Sequence, residues 1–79
     1  MKELDIVVLT QDMAELDLQA GDIGTIVMIH SQGDGFEVEF STLDGETVAI
    51  ETLLPHQIRP ISRGEIAHAR QLPDTLHSH

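Results

Sequence analysis

The chain has 79 residues, no cysteine, and 14 acids against four lysines and arginines, for a formal net charge of −10. That length supports one domain at most and buries only about 60% of the unfolded surface, so the core must be economical or shared with a partner. Without cysteine there is no disulfide framework or thiolate metal site, and so anionic a surface repels phosphate backbones and anionic lipid while attracting basic partners.

The N-terminus, Met1 to Asp5, carries acids and lacks a basic region followed by an apolar stretch, so no signal peptide is expected. No run of ~18 apolar residues occurs anywhere, which argues against a helical membrane span. With cysteine absent as well, a cytoplasmic location is the expectation. Leu4 to Thr10 is rich in β-formers and predicts the first strand. It is apolar on both faces, with Ile6 and Val8 pointing one way and Val7 and Leu9 the other. One pair must be covered by the C-terminal tail, a second subunit or a partner.

Gln11 to Gly21 is too long for a hairpin turn. Its acids Asp12, Glu15 and Asp17 alternate with Leu16 and Leu18, as in a long, partly packed loop. Gly21 and Gly24 then open a nearly all-apolar second strand, Ile23 to His30. Tight-turn geometry and close packing are the expected roles of these two glycines. Ser31 to Gly35 is turn chemistry. Phe36-Glu37-Val38-Glu39-Phe40 alternates strictly, placing Phe36, Val38 and Phe40 inside and both glutamates outside.

Two registers compete for the next hairpin. A two-residue Asp44-Gly45 loop pairs Phe40 with Ala49 and Val38 with Glu51, burying an acid. A three-residue loop, Leu43-Asp44-Gly45, with Gly45 left-handed at a bulge, pairs Phe40 with Val48 and Val38 with Ile50. A one-residue slip flips every side chain, so the hydrophobic pattern favours the second. It sets Glu37 opposite Glu51 and Glu39 opposite Ala49 on the outer face, where opposed like charges invite a cation or a basic partner.

Leu53 to Gln57 suits a single tight helical turn, and Ile58 to Ile61 a short last strand that Pro60 marks as an edge or an end. The expected barrel therefore spans residues 1–61, and 62–79 form a C-terminal extension. Ser62-Arg63-Gly64-Glu65 has the capping-box pattern, predicting a short helix from Arg63 to about Leu72 that is weakened by Gly64; a frayed tail is the alternative.

Taken together, Leu4–Leu9, Ala20–Val27, Gly35–Phe40, Leu43–Thr47 and Leu54–Pro60 resemble a family of small bacterial domains of unknown function, number 4926 in that series. The resemblance covers about residues 3 to 61. It implies an all-β, five-stranded SH3-like barrel and no established activity. Some small acidic proteins of this kind neutralise toxins, which makes an antitoxin-like role one expectation. Gly21 to Val27 also resembles the KOW motif of ribosomal and transcription proteins, whose nucleic-acid contacts use basic residues near the glycine loop. Here the flanks are Asp17 and Asp22, with no lysine or arginine between Met13 and Leu54 and no Tyr or Trp for stacking, so nucleic-acid binding is disfavoured.

Histidines at positions 30, 56, 68, 77 and 79 raise the question of metal. A zinc site needs three or four converging ligands. Only Glu65 and His68, one turn apart on the predicted helix, make an obvious pair, so neither a metal nor another cofactor is expected. The carboxylates sit on exposed strand faces, no phosphate loop is present, and Ser31, Ser41, Thr42 and Thr47 have no His or Lys nearby in sequence. The expectation is a non-enzymatic interaction module that binds a basic protein through Glu37, Glu39, Glu51, Asp12, Glu15 and Asp17, with Gly21, Gly24 and Gly45 as structural residues. Self-association of the barrel is the alternative. An accessory barrel resembling those of nitrile hydratase subunits is a more distant one.

Overall fold

Strand formation follows the β-branched runs. In the computed structural model, which describes residues 1–73, the strands are β1 (Ile6–Leu9), β2 (Ile23–His30), β3 (Gly35–Ser41), β4 (Thr47–Leu53) and β5 (Ile58–Pro60). All pairings are antiparallel, and the five strands form one sheet in the order β4-β3-β2-β1-β5. Laid flat at about 4.8 Å per strand, the two edges would stand roughly 19 Å apart. Yet β4 passes to β5 through a single 3-10 turn, Pro55–Gln57, and Leu53 and Ile58 share one buried cluster. The sheet must therefore curl. The all-β expectation holds, but the barrel is not closed: β4 and β5 share no pairing.

The concave face supplies the core. Val7, Leu9, Ile26, Phe36, Val38, Phe40, Leu53 and Ile58 are buried there, joined by Leu18 from the long first loop. The two-faced first strand resolves unevenly: Val7 and Leu9 enter the core, Val8 is buried outside that cluster, and Ile6 stays half-exposed. β2 is nearly all apolar, and a bulge divides it. Ile26 pairs with Val38 and Met28 with Glu37, leaving Val27 as the extra residue. The result is that Ile26 is buried while Val27 and Met28 both face solvent.

The β3–β4 hairpin corrects the expected register. The turn itself forms as anticipated: Gly45 is left-handed (φ 96°), its N–H donates to the Thr42 carbonyl (3.0 Å), and Thr42 N–H donates to the Glu46 carbonyl (2.8 Å). A second irregularity then intervenes between Ser41 and Phe40. Ser41 pairs with Thr47 but Phe40 with Ala49, so Val48 is extra. Val38 consequently pairs with Glu51, Glu39 with Ile50 and Glu37 with Thr52. The three-residue turn and the register of the two-residue turn coexist because both Val48 and Ala49 pack against the core. Glu51 belongs to the concave side yet stays only partly buried, since β4 is an edge strand.

No helix forms between Ser62 and Pro73. Gly64 adopts a positive φ (86°), and Glu65 N–H donates to the Ser62 carbonyl (3.3 Å), closing a turn that such a glycine favours. The Glu65 carboxylate still accepts the Ser62 N–H, as in a capping box (2.5 Å). The capping contact is thus present without its helix, and residues 65–73 run on as irregular chain. Glu65 and His68 therefore do not stand one helical turn apart.

Gly21 is left-handed (φ 98°) and its added Cβ would meet nothing within 4 Å, so backbone strain alone fixes glycine there. Gly21→Ala should cost about 1–2 kcal/mol, read as a lower urea midpoint with an unchanged m-value.

Candidate functional site

Two surfaces carry the polar chemistry. The first is the convex face of the sheet. Cross-strand partners share a face, so one outer row reads Ile6-Thr25-Glu39-Ile50 and the next Met28-Glu37-Thr52. Ile6, Met28 and Ile50 are 48%, 47% and 53% exposed, large values for apolar residues in mid-sheet. Between them stand the two carboxylates. Glu39 accepts from the Thr47 hydroxyl (2.6 Å), and Glu37 Oε2 lies 2.9 Å from His30 Nε2. Each glutamate is held by one neighbour and retains acceptor capacity toward solvent. An apolar surface with fixed carboxylates at its centre suits a partner that presents a cation among apolar groups.

The expected acidic set does not assemble into one patch. Glu37 and Glu39 lie on the convex face, whereas Glu51 takes the other side of the sheet through the Val48 bulge. In the long loop, Asp12 accepts the Ala20 N–H (2.9 Å) and so braces the loop. Asp17 closes a 3-10 turn, Ala14–Leu16, in left-handed conformation (φ 56°), a role aspartate tolerates well. Glu15 is exposed on that turn. Ile6 belongs to one of the two strand-one faces read as needing a cover, but sequence reasoning missed Met28 and Ile50 as surface residues. The missing signal is the pair of bulges, at Val27 and Val48, which turn residues over without marking the composition.

The second surface lies where β2 begins and the C-terminal extension crosses. Arg70 donates through Nε to Asp22 Oδ1 (2.8 Å) and through Nη2 to Asp22 Oδ2 (2.5 Å). The same Nη2 reaches the Asp17 carbonyl at 2.8 Å. Burial alone would raise the Asp22 carboxyl, but the Arg70 hydrogen bonds, the Gln19 N–H and the Arg70 charge outweigh it and hold it below the ordinary value. A second fork runs from Arg59 to Glu65 (3.0 and 2.6 Å). Arg59, then the Ser62 N–H, bring the Glu65 carboxyl to about 2 from an ordinary 4.5.

A depressed acid contributes its stabilisation above its unfolded pKa and loses it as pH falls through the folded one. The Ser62–Glu65 turn should therefore hold above about pH 4.5 and release towards pH 2, well within reach of a titration following the Ser62 amide by NMR. A Glu65→Gln chain should show no such transition.

Other chemistry is sparse. The Thr42 hydroxyl is taken by Asp44 and that of Thr47 by Glu39, both within hairpin structure. Among the described residues no group of three or more His, Asp or Glu is placed to hold a metal ion. His77 and His79 lie outside the described residues. No helix among those residues is long and apolar enough to cross a membrane.

These features define a small acidic β-sheet domain. Residues 3–60 match the family described as Domain of unknown function (DUF4926), and the chain belongs to that family. No curated protein and no solved structure matches it.

Proposed function

We propose that this protein is a non-enzymatic interaction module on an SH3-like scaffold, binding a basic partner protein through its convex sheet face. The observation that carries the reading is the placement of Glu37 and Glu39 among the half-exposed Ile6, Met28 and Ile50 on a chain of net charge −10. Long-range charge speeds encounter with a cationic surface, and the apolar residues Ile6, Met28 and Ile50 supply contact area once docked. An antitoxin-like inhibitor of a basic protein is the biological form this reading favours. The acids Asp12 and Asp17 act within it by shaping the loop, while Glu15 adds to the field.

Affinity capture from the source cell tests this. Wild type should retain a protein of basic isoelectric point that a Glu37→Lys/Glu39→Lys chain does not retain. Equal recovery by both chains would contradict it.

Self-association is a second reading, supported by the free outer edge of β4 with the exposed Ile50 at its centre. Native mass measurement at high concentration separates the two, since a monomer removes this one. The net charge keeps nucleic acid a poor partner for either.

A further inference from the structure

The Arg70 contact has the form of a bound ligand. Among the described residues, the extension beyond β5 adds nothing to the buried core: no residue from 61 to 73 belongs to that cluster, and Ile66 is 92% exposed. It also lies outside the family match, which ends at residue 60. Two arginine forks hold it to the sheet, Arg59 to Glu65 where it leaves β5 and Arg70 to Asp22 at the start of β2. A cleft of about 850 Å³ lies between extension and sheet, walled by Leu18, Ile23, Phe40 and Val48 on one side and by Arg70 and Leu72 on the other. The extension walls this space without filling it.

We propose that Asp22 and the Asp17 carbonyl form a guanidinium-binding seat, occupied in cis by Arg70, into which an arginine on an extended segment of the basic partner docks in exchange. The geometry selects guanidinium over ammonium. Two parallel donors meet the two Asp22 oxygens, and one of those nitrogens also donates to the Asp17 carbonyl. A lysine ammonium cannot reproduce that planar fork. The seat is itself pre-set, because the Gln19 N–H donates to Asp22 Oδ2 (2.8 Å) and Asp17 is fixed in left-handed conformation at the end of its 3-10 turn. Occupation in cis lowers the seat's apparent affinity for an external arginine by the fraction of time Arg70 is bound. It therefore acts as an internal competitor that only a well-matched arginine segment displaces. The identity of the incoming segment rests on the proposed function; the seat does not.

The test uses acetyl-arginine amide, with acetyl-lysine amide as control, titrated into full-length protein and followed by the Asp22 and Gln19 amide signals. The Arg70→Gln chain should bind the arginine compound saturably, at least about fivefold tighter than wild type and about fivefold tighter than it binds the lysine compound. Adding Asp22→Asn to Arg70→Gln should abolish the binding. Equal affinity for arginine and lysine, or no gain on removing Arg70, would overturn the proposal by reducing the contact to diffuse attraction. Wild type gives a second reading that does not depend on any variant: excess acetyl-arginine amide should shift the Ala69 to Leu72 amides as the extension is released, and their constancy at saturation would count as refutation. Because the probe is a small molecule, success here together with failed protein capture would retain the seat and reject the convex-face reading.

Discussion

Replacing Gly24 with alanine should lower stability by about 3 kcal/mol, the upper end for overpacking a core position. A Cβ at residue 24 would lie 2.5 Å from Val38 Cγ1, 3.0 Å from Phe40 Cε1 and 3.1 Å from the Glu39 carbonyl oxygen. Val38 is wholly buried, Phe40 nearly so, and a backbone oxygen cannot rotate away. Relief requires β2 and β3 to separate where Gly24 pairs with Phe40, directly beside the Val7–Gly24 pairing. In a chain of this size each kcal/mol is worth roughly 4–8 °C, so Tm should fall by more than about 10 °C. Thermal and urea unfolding measure this directly. A loss below about 1 kcal/mol would show that the two strands are free to shift apart at that point.

The second large effect concerns binding. Reversing both outer carboxylates, Glu37→Lys with Glu39→Lys, should weaken partner association about tenfold or more, chiefly in the association rate at low salt. Stability should change by less than about 1 kcal/mol, because both side chains are partly exposed and each gives up one contact, to His30 or Thr47. Reversal also moves the net charge four units towards neutrality, which eases self-repulsion. Stopped-flow association at two ionic strengths, alongside urea unfolding, separates the effects. Equal loss of stability and binding would assign these glutamates to the fold instead.

Much of the fold was legible because it rests on patterns of period two. The Phe36-to-Phe40 alternation places its apolar residues in the core as read, and the glycine roles follow from backbone need: left-handed turns at Gly21 and Gly45, close approach at Gly24. The hairpin turn was also legible, but its register was not. Leu43-Asp44-Gly45 forms the expected loop, and Val48 then slips the ladder by one residue. A bulge has no composition of its own, so an apolar residue that is extra looks like one that alternates. This slip is what removes Glu51 from the convex face.

The extension was misread for a different reason. Ser62 and Glu65 form the capping contact that their spacing promises, yet the left-handed Gly64 between them ends the helix before it starts. Beyond the Arg59–Glu65 fork, the extension is placed by Arg70 meeting Asp22, a contact across 48 positions that no local pattern encodes.

On the proposed reading, Glu37 and Glu39 of the convex face carry the main contact with the partner, with at most one arginine reaching Asp22 and the Asp17 carbonyl. Carboxyl labelling of the complex, resolved by residue, tests it most directly. The account predicts that Glu37 and Glu39 lose reactivity on binding while Glu3, Glu15 and Asp34 keep theirs. Protection confined to Glu15 and its loop, with Glu37 and Glu39 still reactive, would contradict it.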